Sequence, residues 1–208
     1  MHQEALKSEQ KKIFEKLPNF PEYYLAGGTA LALQIGHRIS IDFNLFSSDE
    51  IPENFPEKVE KIFQDLLEVK IVVRHSEQVS FMVGRTLLSF IKYPFPVILN
   101  LLEYKKVKML SVPEIGATKA YALGRRAIFK DYVDLFFIIR KRYSTLEEIT
   151  NLAIKKFKEK FEPRLFYEQL IYLEDVEEMP IEYLKKEKPT KKEIQKFFEK
   201  EIKKLKLK

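Results

Sequence analysis

The 208-residue chain contains no cysteine, which removes disulfides, thiolate metal sites and thiol nucleophiles together. Three histidines, His2, His37 and His75, are too few for a multi-histidine metal cage. No apolar run approaches the roughly 18 residues of a membrane-spanning helix. The opening MHQEALKSEQKK has neither an apolar signal core nor a small-residue cleavage site, so export is not expected. No internal repeat and no low-complexity linker interrupts the chain. What is present is 45% hydrophobic and 33% charged residues, enough for a core under a well-solvated surface and too much apolar content for disorder. The expectation is a soluble, cytoplasmic globular protein with no membrane partner.

The net charge of +6 is unevenly placed. Residues 185–208 hold eleven lysines against four glutamates, a net of +7, so the first 184 residues sum to −1. The basicity belongs to the tail. Such a segment suits nucleic-acid phosphates, and it equally suits a solvated Lys/Glu helix.

Ala5 to Leu17 has helical apolar spacing and meets Pro18. YYLAGG reads as a short buried strand ending on Gly27 and Gly28, and TALALQI as a helix closed by Gly36. RISIDFNLF alternates, with Ile39, Ile41, Phe43 and Leu45 on one face and Ser40, Asp42 and Asn44 on the other. A helix from Pro56 to Val69 precedes strands at 70–74, 79–83 and 86–93, with a hairpin turn at Gly84-Arg85. From Pro94 an irregular crossing leads into one short strand. From Ser111 the texture is helical. Ser111 with Glu114, Ser144 with Glu147 and Thr190 with Glu193 are capping-box patterns, and further helices are expected over 126–142 and from Pro163. The tail helix, 190–206, carries an apolar stripe of Ile194, Phe197, Phe198, Ile202 and Leu205. The layout is an α/β region over 1–110 and a helical region over 111–208 packed on it.

The run from Leu25 to Phe46 carries the chemistry. A strand ending in Gly27-Gly28 and turning at once into a helix lets backbone approach a ligand and presents free N–H groups to an anion. Fourteen residues after Gly28, Asp42 and Asn44 offer oxygen ligands at i and i+2 of a strand, a pattern that holds a hard divalent cation beside a phosphate.

The segment GGTALALQIGHRISIDFNLF resembles the signature of the AbiEii/AbiGii toxin family of nucleotidyltransferases. KAYALGRRAIFKDYVDL resembles its second motif through Lys119, Ala122, Leu123, Arg126, Lys130, Asp131 and Asp134. The resemblance implies an α+β fold: a polymerase-β-like nucleotidyltransferase core with a mixed sheet, followed by a helical C-terminal region. It implies a toxin using a nucleoside triphosphate (NTP) with Mg²⁺ or Mn²⁺, an acceptor that is tRNA, another RNA or a protein, and a cognate antitoxin. Gly27, Gly28 and Thr29 would contact the triphosphate, Asp42 would lead the metal ligands, and Ser40 would support its strand. Lys119 and Asp131 would be the functional pair of the helical region. Lys119 would neutralise phosphate charge, with Arg126 two helical turns further on the same face. Asp134 is expected to hold a structural ion pair. His37 and Arg38 would serve either the ligand or packing. Asn44 stands where the family pattern carries a second aspartate. Asn100 is the nearest candidate for a third strand ligand. The alternative is a degenerate domain that binds NTP or RNA without turnover.

Overall fold

The computed structural model describes residues 1–126 and 128–205. The chain divides into two compact units, Met1–Leu110 and Ser111–Lys208. All described strands fall in the first unit. Its elements are α1 (Ser8–Lys16), β1 (Tyr24–Ala26), α2 (Gly27–Ile35), β2 (Phe43–Ser47), α3 (Phe55–Phe63), β3 (Val69–His75), β4 (Gln78–Val83), β5 (Thr86–Lys92), β6 (Leu102–Tyr104) and β7 (Val107–Met109). The strands form one sheet in the order β3-β4-β5-β2-β1-β7-β6. Its pairings are mixed: β5 runs parallel to β2 and β1 to β7, and the other neighbours are antiparallel.

Aromatic rings fill much of the first unit's core. Phe20, Tyr23 and Phe55 place their centroids 4.7–5.0 Å from that of Phe90 on β5, in the tilted and edge-on arrangements that aromatic quadrupoles favour. Gly36 closes α2 at φ 58°, as a left-handed C-terminal glycine should.

Three expectations fail in this unit. The helix expected over 56–69 ends at Phe63, and Val69 already belongs to β3. The strand at 38–46 begins only at Phe43, and Ile41 is 42% exposed whereas Ser40 is buried. Alternation breaks because Ser40 bonds inward to the α2 side and its N–H donates to Ala5 O at 3.2 Å. The segment after Pro94 ends in a hairpin of two strands, β6 and β7, instead of one strand. Its turn is Lys105-Lys106, both in the left-handed region at φ 50° and 63°. No glycine or asparagine advertises it. That geometry is the type I′ turn that Asn-Gly adopts most readily. Lys105→Asn with Lys106→Gly should therefore raise the unfolding free energy by roughly 1 kcal/mol, read by urea titration.

The second unit holds α4 (Val112–Leu123), α5 (Phe129–Arg140), α6 (Leu146–Phe157), α7 (Pro163–Ile171) and α8 (Lys191–Leu205). The helix expected over 126–142 is shorter, and its Ala127 lies outside the described residues, as does Lys206 at the expected end of the tail helix. Gly116 lets α4 approach α6: a Cβ there would stand 3.0 Å from Ile149. Thr190 and Glu193 cap α8 as expected, Glu193 N donating to Thr190 Oγ1 at 3.3 Å and Thr190 N to Glu193 Oε2 at 2.8 Å. The α8 stripe is seated within the unit, with Ile194, Phe198 and Ile202 buried and Phe197 against Phe136 of α5 at 4.9 Å.

The other two caps differ from expectation. STLEE contains two overlapping patterns, and the second is used: Glu148 N donates to Thr145 Oγ1 at 3.1 Å while Thr145 N donates to Glu148 Oε2 at 2.9 Å. The Thr145 N–H, with the Ser144 hydroxyl at 3.0 Å, holds the Glu148 carboxyl below its ordinary pKa. The Ser111 side chain makes no cap bond, and Glu114 turns into the helical unit, where it accepts from Lys156 Nζ at 2.6 Å. Both side chains of that pair are 0% exposed.

Candidate active site

Gly27 is the first residue of α2, with φ 69°. A Cβ at that position would stand 3.1 Å from Asn44 Nδ2, so glycine is required both by backbone conformation and by the approach of β2. At Gly28 a Cβ would lie 2.5 Å from Arg38 Nη2. The Arg38 guanidinium is therefore tucked under the N-terminus of α2, and the residue is only 4% exposed. Its N-cap residue, Ala26, has no side-chain group to cap that helix end. Open N–H groups, the helix dipole and a buried guanidinium together make a region of positive potential suited to an anion.

Thr29 is buried and does not face outward with the two glycines. Its Oγ1 donates to the Asp42 carbonyl and lies 2.8 Å from Ser40 Oγ. This hydroxyl pair ties the chain over 40–42 to the first turn of α2. The effect is to place Asp42, half-buried, immediately before β2. Asn44 follows on β2, opposite Ala26 of β1 and level with Ser89 of β5. Gly27, Gly28, Thr29, Ser40, Asp42 and Asn44 thus form one cluster around the α2 N-terminus.

Asn100 is not part of a strand; it lies in an exposed loop before β6. The position that neighbours Asn44 across the sheet is Ser89, and β5 contains no acidic residue. Ser89 continues a polar row: Ser80 Oγ donates to Ser89 Oγ at 2.9 Å, and Gln78 Nε2 donates to Ser80 Oγ at 2.9 Å. The only hint of it in the sequence is the lone serine inside each of the apolar strands QVSFMV and TLLSFIK.

The donor set bears directly on metal binding. Among the described residues there is no group of three or more His, Asp or Glu side chains able to hold a metal. One carboxylate, one amide oxygen and a neighbouring anion cradle match the needs of a single Mg²⁺, which takes one or two carboxylates plus substrate phosphates and keeps several waters. They do not match a two-metal centre.

In the helical unit the second motif folds into a buried charge network. Lys119 of α4 is 5% exposed and reaches Asp131 Oδ1 and Asp134 Oδ2 of α5, each at 2.6 Å. Arg126 grips the other Asp131 oxygen through Nε and Nη2, both at 3.1 Å. Arg126 and Lys119 do not share a helix face. α4 ends at Leu123 and Gly124, and Arg126 comes to Asp131 from the connection that follows. Lys119 is already matched by two carboxylates, whereas the Arg126 side chain is 57% exposed. Asp134, 0% exposed, holds the structural pair expected of it.

Comparisons with known proteins bear on the family and the fold. The family model for the nucleotidyl transferase AbiEii toxin of type IV toxin–antitoxin systems matches residues 12–206. An uncharacterized protein of Aquifex aeolicus is 29% identical over 204 residues, 95% of this chain and 96% of its own. Among solved structures, a candidate nucleotidyltransferase from H. pylori superposes with a TM-score of 0.61 at 16% identity, covering 96% of each chain. JHP933 from Helicobacter pylori superposes at 0.54 with 14% identity, covering 96% of this chain and 94% of its own. The architecture is the polymerase-β-like α+β fold.

Proposed function

From a chain that belongs to the AbiEii family of nucleotidyltransferase toxins, we propose a transfer reaction in which an acceptor hydroxyl, on an RNA such as a tRNA 3′ end, attacks the α-phosphorus of an NTP. The new bond joins the acceptor oxygen to that phosphorus. The bond to the bridging oxygen breaks, pyrophosphate leaves, and the hydroxyl proton passes to solvent. The observation that carries this reading is the uncapped α2 N-terminus, with Gly27 and Gly28 kept bare over Arg38 and Asp42 fixed beside it by Thr29.

The backbone of Gly27 and Gly28 would hold triphosphate oxygens, and Thr29 and Ser40 would position Asp42 without touching the nucleotide. Asp42, with Asn44 beside it, would hold one Mg²⁺ or Mn²⁺. Such an ion supplies charge neutralisation and polarisation of the phosphoryl oxygens. In the helical unit, Lys119 and Asp131 hold each other in place, and Arg126 is the member of the network with exposed surface to offer an anionic substrate. The family also implies a cognate antitoxin as partner.

Calorimetry with each NTP and Mg²⁺ tests the cradle. One NTP should bind more tightly than about millimolar, roughly −4 kcal/mol. Gly28→Ala should weaken it about tenfold, because Arg38 must leave its seat under the helix. Absence of binding by all four NTPs would contradict the reading. One observation favours a second reading: the strand beside β2 carries Ser89 where another acid could stand. A site with a single carboxylate suits an NTP- or RNA-binding domain that does not turn over.

A further inference from the structure

We infer that the groove between the C-terminal end of α5 and the face of α8 is a track for a single RNA strand. The inference rests on the reading of RNA as the acceptor, and it places RNA contacts within the helical unit. Two adjoining cavities, ≈ 340 Å³ and ≈ 520 Å³, share Arg140 and Phe197 as lining residues. Arg142, Lys200 and Lys204 line the first, and Lys188 and Lys196 the second. Some of this charge is already matched: Arg140 faces Glu187 at 3.7 Å, and Lys204 pairs with Glu201 at 2.5 Å. Arg142, Lys196 and Lys200 have no ion-pair partner among the described residues.

That arrangement has an energetic cost on its own. Lys196 and Lys200 stand four residues apart on α8, neighbours of like charge that weaken a helix. Arg142, held at φ 60°, adds a third cation to the same groove. An anionic chain laid along it relieves the repulsion. Phe197 selects among anionic chains. It sits between the two lysines in sequence, half-buried, edge-on to Phe136 and Phe198 at 4.9 Å and 5.5 Å, and its remaining surface lines both cavities. A positive groove with an aromatic surface in it is how proteins hold single-stranded nucleic acid, phosphates on the cations and a base on the ring. An acidic peptide would use the cations and leave the ring without a partner. α8 itself carries six lysines against three glutamates, within a stretch, 185–208, of net +7 against −1 for the rest.

The test uses the full chain without NTP or metal. Fluorescence anisotropy would follow a labelled single-stranded RNA of roughly ten nucleotides, the DNA of the same sequence and a decaglutamate peptide, between about 50 and 200 mM salt. Lys196→Glu with Lys200→Glu should weaken RNA binding at least about tenfold and make the log–log salt slope shallower by about 1.4, two phosphate contacts at roughly 0.7 each. Lys192→Glu with Lys203→Glu makes the same charge change on exposed positions of the same helix that line neither cavity, and should stay within about twofold. Phe197→Leu should lose several-fold in affinity with the slope unchanged and melting retained. Equal losses in the two lysine pairs would overturn the inference in favour of bulk charge. DNA binding tighter than RNA would overturn the RNA assignment, and decaglutamate displacing RNA would point to an acidic protein. Because RNA binding is read without nucleotide, failure of NTP binding with this pattern intact would remove the transfer reading alone.

Discussion

Lys156→Met should lower the unfolding free energy by about 3–5 kcal/mol, a large part of the roughly 5–15 kcal/mol that holds such a protein folded. Lys156 on α6 and Glu114 on α4 form an ion pair with both side chains 0% exposed. Removing the ammonium leaves a carboxylate enclosed without its cation, and its desolvation is no longer compensated. Burial pulls the Lys156 pKa below the ordinary lysine value, against the upward pull of Glu114. The pair thus sets a desolvation cost against its attraction. It follows that Glu114→Leu combined with Lys156→Met should recover most of the loss and could exceed the natural protein, as buried pairs replaced by apolar residues often do. Urea unfolding of the natural protein, both single variants and the double variant closes the cycle. Strict additivity of the two single losses would show that the pair is not coupled.

Much of the site was legible because it is local. Gly27-Gly28 after an apolar strand, followed by helix formers, reads as a strand–turn–helix phosphate cradle, and the backbone folds that way. The alternation through Phe43 and Leu45 was also legible, since both point to the core. What the pattern hid was tertiary. Ser40 is polar yet buried because Thr29 reaches it from another element, and that inverts the expected pattern at Ile41. Glu114 satisfies a capping pattern in sequence, but a lysine 42 residues away claims it. Lys119 and Arg126 have helical spacing, yet Gly124 ends the helix between them and they meet only through Asp131. Ser89 beside Asn44 depends on a parallel strand pairing that no local pattern encodes.

The second large effect is expected at Asp42. It supplies the one carboxylate of the cluster at the α2 N-terminus, so removing it takes away the charge that would hold a cation beside the triphosphate. Asp42→Ala should reduce nucleotide transfer by about two orders of magnitude or more, on the order of 3 kcal/mol of barrier. Asn44→Asp works in the opposite direction. It restores the acid of the family pattern on β2, two residues after Asp42, with Gly27 alongside. Two carboxylates there repel each other without a cation and attract one more strongly. Transfer should rise about tenfold, which needs only about 1.4 kcal/mol. Melting of Asn44→Asp should drop slightly without metal and recover with Mg²⁺ or Mn²⁺.

The most direct test is transfer of labelled nucleotide from each of the four NTPs to total tRNA with Mg²⁺, compared between the natural protein, Asp42→Ala and Asn44→Asp. The account predicts label on RNA with the natural protein, a fall of about a hundredfold with Asp42→Ala and a rise of about tenfold with Asn44→Asp. Transfer that survives Asp42→Ala unchanged would contradict it. So would a complete lack of transfer by both the natural protein and Asn44→Asp while NTP binding persists, the behaviour of a binding domain and not of an enzyme.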